Sequence, residues 1–299
     1  MKHSLRVTLF LIALFLAAHL VGLVVLRSYW QPAASAAAGK PVFSDLPMGL
    51  ERPDATPGES VIFIIVGVII GTLLALWLMR FRKPIAWKLW FALAIWLALS
   101  VSFIGLFPLP GSILTALAAL LAFLKVYKPS TIVHNLTEVF MYGGLAAIFV
   151  PLLSVQYAAA LLILISIYDF WAVNHSGHMV KLAKMQSNAS TFAGLALPYK
   201  GQKLQPAMKP LGTKAPKGEG TAILGGGDIG FSLIFSGTVM FQFNLLTALL
   251  CSVMAAAGLL ILLTKGQSGK FYPAMPAITL GCLLGLAIGT ALTAVGTLA

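Results

Sequence analysis

Two carboxylates are the residues of this chain whose surroundings most need a chemical explanation. Asp169 stands in "LLILISIYDFWAV" and Asp228 in "LGGGDIGFSLIF", each inside an apolar run. The remaining acids, Asp45, Glu51, Asp54, Glu59, Glu138 and Glu219, fall in loops or near the ends of such runs. An aspartate at the centre of a membrane-crossing helix costs about 2.5–3.5 kcal/mol on insertion scales and as a rule faces the bundle interior or water. Two facing carboxyls in a low-dielectric interior do not both ionise easily, so the pair shares one proton. Such a pair can hydrolyse an amide. One carboxylate takes a proton from water as it attacks the carbonyl; the other donates to the carbonyl oxygen and then to the departing amine. The pair titrates as a unit, so neither acid is assigned as base or acid alone. The plainer alternative is a polar contact between helices.

The elements that must hold these acids follow from composition. The chain has 299 residues, 59% hydrophobic and 9% charged, with a mean hydropathy of +0.95. Soluble domains carry about 25% charged residues, so the sequence reads as an integral, multi-pass membrane protein. The expected fold class is all-α and polytopic, with nine transmembrane helices near 5–29, 59–80, 86–107, 109–126, 135–153, 155–179, 221–241, 243–264 and 274–297. The first apolar run is longer than the roughly 7–15 residues of a signal peptide core, so it reads as a retained span. With the N-terminus cytoplasmic and the C-terminus extracytoplasmic, seventeen of the twenty lysines and arginines fall on the cytoplasmic side, the bias expected of membrane topology. An eight-span alternative, merging the fifth and sixth runs across Pro151, Ser154 and Gln156, puts the most basic loop outside. The formal charge of +12 is therefore a topological signal, and nucleic acid is not an expected partner; the lipid bilayer is. Cys251 and Cys282 lie in apolar runs and read as small buried hydrophobes.

The chain divides into residues 1–180 with spans one to six, a basic cytoplasmic loop at 181–220 rich in Lys, Pro and Gly and expected to be mobile, and residues 221–299 with spans seven to nine, all one membrane domain. In this topology Asp169 lies roughly 16 Å, and Asp228 roughly 11 Å, from the cytoplasmic ends of antiparallel neighbours at 1.5 Å per residue. The carboxyls can therefore face each other at similar depth. Gly225, Gly226 and Gly227 precede Asp228, and their lack of side chains lets another backbone approach. A peptide bond inside a helix is shielded by its own hydrogen bonds, so a substrate must unwind near the acids and find partners for its freed groups. Pro273 and Pro276, which bracket Ala274 and Met275 at the start of the last span, leave backbone groups unpaired that could supply such partners.

Taken together, Tyr168 and Asp169 in span six, Gly225, Gly226, Gly227 and Asp228 opening span seven, and "PAMP" at 273–276 resemble the YD, GxGD and PAL motifs of the presenilin and signal peptide peptidase family of intramembrane aspartyl proteases. The resemblance runs in span order through nearly the whole chain. It implies that Asp169 and Asp228 are the catalytic pair, that Pro273, Ala274 and Met275 shape the site, and that the 181–220 loop lies near where substrate enters. Met275 stands where the family has Leu, a nearly isosteric swap. The derived orientation resembles the presenilin branch, signal peptide peptidases being inverted, and the short chain is similar to microbial, archaeal-type homologues. The implied activity is cleavage of transmembrane segments of single-span proteins, with no cofactor. Accessory subunits are not evident in the sequence.

Other chemistries fit less well. His175 and His178 have no HExxH context for a zinc protease. Ser232 follows Asp228 by one turn, and His19 is the intramembrane histidine that could serve a serine nucleophile. Prepilin-type peptidases also carry a GxGD motif but lack the PAL element. The main non-enzymatic alternative is a proton- or cation-coupled transporter or ion-leak protein using Asp169 and Asp228 as a relay; the chain has no matching halves to support it.

Overall fold

The computed structural model describes residues 4–52, 56–80, 84–176, 192–198, 221–266 and 272–296. Long apolar runs become helices because a helix satisfies its backbone polar groups internally, which a lipid environment demands. In chain order these are α1 (Leu5–Tyr29), the short α2 (Pro32–Ala38), α3 (Pro57–Arg80), α4 (Pro84–Leu106), α5 (Gly111–Tyr127), α6 (Thr131–Phe149) and α7 (Val155–Trp171), then α8 (Gly226–Gln242), α9 (Leu245–Lys265) and α10 (Met275–Ala294). Among the described residues six helices are long and apolar enough to cross a membrane: α1, α4, α6, α7, α9 and α10. The apolar part of α3 and the 17-residue α5 are shorter, and α8 also has 17 residues.

Local chemistry sets the ends of these helices. Ser130 caps α6 by accepting from the Val133 N–H at 3.2 Å, and Asn244 caps α9 by accepting from the Thr247 N–H at 2.7 Å. Pro151 lies in a 3₁₀ turn, Val150–Leu152, so α6 and α7 are separate helices as the sequence leads one to expect. Past its last α-helical turn, α7 continues into a π turn, Ala172–Ser176.

The all-α expectation needs one correction. Gly194–Pro198 forms a strand, β1, and Thr221–Gly225 forms β2; they pair antiparallel with Gly194 opposite Gly225 and Pro198 opposite Thr221. Residues 221–225, expected as the start of a span, are therefore extended, and helix begins at Gly226. β1 lies within the expected 181–220 loop, whose other residues, apart from Phe192 and Ala193, lie outside the described residues.

Packing centres on α1, which touches α4, α6, α8, α9 and β1. Leu11, Phe15 and Leu26 of α1 are fully buried with Leu99, Leu162, Leu233 and Phe235. Helices α9 and α10 approach each other closely along Gly281, Gly285 and Gly289. A Cβ on Gly281 would stand 2.2 Å from the Met254 carbonyl oxygen, and one on Gly285 2.5 Å from the Cys251 Cα, so glycine at four-residue spacing is what lets these backbones meet. Cys251 and Cys282 are free and buried here. After α1 the chain turns back, with the Gln31 N–H donating to the Val42 carbonyl at 2.9 Å and the Ser44 N–H to the Tyr29 carbonyl at 2.8 Å. This segment lays Trp30 and Phe43 against Phe241 at the end of α8.

Candidate active site

Asp169 lies two residues before the end of α7 and is 7% exposed. Its Oδ2 accepts the Met275 N–H at 3.1 Å, with the Ala274 amide beside it. The sequence accounts for this meeting. The first N–H groups of a helix have no intrahelical acceptor, and Pro276 in the first turn of α10 has no N–H to offer. A carboxylate from a neighbouring helix fills the position that a capping side chain otherwise takes, and the positive end of the helix favours it. One turn further along both helices, Ser166 and Thr279 share a buried hydrogen bond of 2.7 Å. Two polar links thus fix α7 against α10.

Asp228 stands in the first turn of α8, partly buried. Its Oδ2 curls back toward Gly225, where an added Cβ would come within 3.2 Å of it. At Gly226 another backbone does come close: its N–H donates to the Ala193 carbonyl at 3.2 Å, and an added Cβ would lie 2.5 Å from the Tyr142 hydroxyl. Gly227 is exposed, and an added Cβ there would meet only the Phe231 ring, at 3.7 Å. The helices carrying the two aspartates, α7 and α8, pack on each other and both pack on α10. Asp228 thus opens a helix that packs on both α7 and α10, and Asp169 meets the Ala274–Met275 backbone. Pro273 and Pro276 flank it, partly buried. Tyr168 does not join: it is 49% exposed, with its ring 6.5 Å from that of Trp171.

The hairpin is docked by side chains that sequence reasoning passed over. Asn135 of α6 acts as a surrogate strand: its Nδ2 donates to the Ala196 carbonyl at 2.9 Å and its Oδ1 accepts the Ala196 N–H at 3.0 Å. His134 Nε2 bonds the Gly194 carbonyl at 2.7 Å, and Glu138 Oε2 accepts the Gly194 N–H at 2.9 Å. Glu138 also pairs with Lys125 of α5 and accepts the Tyr142 hydroxyl. A signal for this existed in the sequence. His134, Asn135, Glu138 and Tyr142 recur at helical spacing on an otherwise apolar helix, which places them on one face.

Because Gly194 and Ala196 turn their backbone groups toward α6, the alternation of an antiparallel pair sends those of Leu195 and Leu197 to β2. On β2, Ala222 and Leu224 reciprocate, and the N–H and C=O of Ile223 and the N–H of Gly225, the N-cap of α8, are directed to the far side. Among the described residues β1 is covered on its outer edge by α6, and β2 presents the other.

His19 and Ser232 do touch, Nε2 to Oγ at 3.1 Å, but both are fully buried. Ser232 Oγ donates to the Asp228 carbonyl at 2.6 Å, and His19 Nδ1 bonds the Phe15 carbonyl at 2.9 Å. This pair bridges α1 to the first turn of α8 with no access for a substrate, which removes the serine-nucleophile alternative. Among the described residues no group of three or more His, Cys, Asp or Glu could hold a metal ion. His175 is exposed, and His178 lies outside the described residues.

Fold and site together define a multi-pass helical membrane protein with one acid on each of two helices that pack together. Residues 42–295 match the family described as signal-peptide peptidase, presenilin aspartyl protease. The chain belongs to this family of intramembrane aspartyl proteases, which does not favour the transporter alternative. Among solved structures it is similar to a presenilin family intramembrane aspartate protease in space group C222, with a TM-score of 0.62, 20% identity, and 95% of this chain and 99% of that chain covered. A presenilin family intramembrane aspartate protease in space group P2 gives a TM-score of 0.59 at 19% identity, covering 95% of this chain and 97% of that one. No curated protein matches.

Proposed function

We propose that this chain is an intramembrane aspartic endopeptidase of the GxGD type that cuts transmembrane segments of single-span proteins, with Asp169 and Asp228 as the catalytic pair. The observation that carries this reading is the junction of α7, α8 and α10, where two helices that pack together each supply one acid. One carboxylate deprotonates a water that adds to the scissile carbonyl carbon. The protonated partner donates to the carbonyl oxygen, and collapse of the tetrahedral species breaks the C–N bond as the amine takes a proton. Net consumption is one water per peptide bond.

Gly225, Gly226 and Gly227 keep the approach to Asp228 narrow and free of side chains, and Pro273, Ala274, Met275 and Pro276 form the wall beside Asp169. An unwound substrate segment can pair with the outward groups of Ile223 and Gly225 on β2, which lead directly into Asp228. Tyr168, half exposed, contributes on the lipid-facing side of α7. All nine helices of 17 residues or more cross the bilayer in this reading, N-terminus cytoplasmic and C-terminus extracytoplasmic, as one membrane domain with residues 1–180 and 221–299 joined by the 181–220 loop.

The test is cleavage of a labelled single-span peptide by purified protein in detergent, read by mass spectrometry. Asp169→Asn and Asp228→Asn are each expected to lower the rate by about 10³-fold or more while the protein stays folded. Activity retained in either variant would sink the dyad.

A further inference from the structure

The Lys125–Glu138 pair is fully enclosed: Lys125 is 2% and Glu138 0% exposed. A buried ion pair is weak evidence for stability, because desolvation offsets most of the attraction and an apolar replacement often does as well. What this pair holds is more informative. One carboxylate oxygen, Glu138 Oε2, accepts from both the Gly194 N–H and the Tyr142 hydroxyl, while Oε1 faces Lys125 Nζ. Tyr142 in turn lies over the start of α8. Its hydroxyl occupies the space beside Gly226 that a Cβ would need, and its ring stands 3.6 Å from the position of a Cβ on Gly230. Gly226 and Gly230 bracket Asp228 by two residues on either side. Gly194 takes a backbone angle of φ +134° that favours glycine and sits against the Leu224 carbonyl and the Gly226 nitrogen. A single oxygen therefore fixes both the strand and the tyrosine that frame the first turn of α8.

We propose that Glu138 and Tyr142, with Lys125 as counter-ion, are positioning residues for Asp228. They set where the first turn of α8 sits relative to the α7–α10 junction, without touching the substrate. The proposal rests on the proteolytic reading above. It differs from a purely structural role because a structural defect lowers the amount of folded enzyme, whereas misplacement of Asp228 lowers the rate of each folded molecule. A shift of about 1 Å at a catalytic group can cost about 10²-fold in rate.

Tyr142→Phe is the discriminating variant, since it removes one hydroxyl and keeps the ring. Wild type, Tyr142→Phe, Glu138→Gln and the double variant are purified and assayed on one labelled single-span peptide, with thermal unfolding measured in parallel. We expect Tyr142→Phe to lower kcat at least about tenfold, with KM within about twofold and unchanged helical content. The double variant is expected to be no slower than Glu138→Gln, because the hydroxyl acts through that carboxylate. Hydrogen exchange over 192–198 and 221–228 should rise in Glu138→Gln while α9 and α10 keep their protection. Wild-type cleavage beside an undiminished kcat in folded Tyr142→Phe overturns this proposal alone, as does a loss of rate that only tracks the loss of folded protein. A wild type that leaves the peptide intact overturns the proteolytic reading and this proposal with it.

Discussion

At the scale of single residues, Asp169 is proposed to do two things that substitution can separate. Its carboxylate is one of the proposed catalytic pair, and its Oδ2 also caps α10 through the Met275 N–H. An amide at this position still offers an oxygen to that N–H; a methyl group does not. Asp169→Asn and Asp169→Ala should therefore be equally inactive. Only the alanine variant should lose stability, by about 1 kcal/mol, the usual cost of deleting an N-cap. Thermal unfolding of the two variants side by side checks this, and equal melting temperatures would mean that the Met275 bond contributes nothing. The two aspartates were legible in the sequence because an acid in an apolar run stands out against its neighbours. Glu138 was not, because it lies seven residues past the start of α6, where an acid reads as the edge of a span. Tyr142 lies one turn away on the same face, but Lys125 and Gly194 lie 13 and 56 residues from Glu138 in the chain, and no local window brings them to it.

At the scale of elements, the long helices followed from apolar runs and the break at Pro151 from its polar neighbours, whereas the hairpin did not show. "GLALP" and "TAILG" are too short for their periodicity to speak, and what makes them strands is tertiary: Asn135 supplies to β1 the donor and acceptor of a missing neighbour. Residues 221–225 are apolar enough to pass for the first turn of a span, but Ala222 and Leu224 pair their backbone groups with β1 instead. The orientation of β2 gives a prediction. Proline at 223 removes an N–H that points away from β1, a position where strands tolerate it; proline at 224 removes one that pairs with β1. Ile223→Pro should leave the hairpin and the melting temperature near those of wild type yet lower kcat/KM at least about tenfold, chiefly through KM, if substrate pairs with this edge. Leu224→Pro should instead disorder the hairpin, seen as faster hydrogen exchange over 192–198. Unchanged kinetics in folded Ile223→Pro would place substrate elsewhere.

At the scale of the whole molecule, the question is how the helices sit across the bilayer. Among the described residues three of the nine long helices, α5, α7 and α8, have 17 residues each, or roughly 26 Å at 1.5 Å per residue, a little less than the roughly 30 Å of a bilayer core. The π turn lengthens α7. Helices α5 and α8 are shielded on one side by longer neighbours, α5 by α4 and α8 by α1 and α9, and β2 adds length ahead of α8. A nine-span arrangement follows if α5 and α8 both cross. It puts Lys125 and Lys128 on the cytoplasmic side and α2 on the opposite one, in accord with the bias of basic residues. Cysteine labelling in intact cells can read this directly, because Cys251 and Cys282 are buried and give little background. Ala37 and Lys128 are exposed in the structure, so single replacements there disturb no packing. Ala37→Cys should react with a membrane-impermeant maleimide added outside, and Lys128→Cys only after the membrane is opened. The reverse pattern would invert the molecule and bring the proposed dyad within reach of the outer face. Reaction of both positions from one side would mean that an odd number of the helices between them fails to cross, with α3 and α5, the two shorter apolar helices, as the first to re-examine.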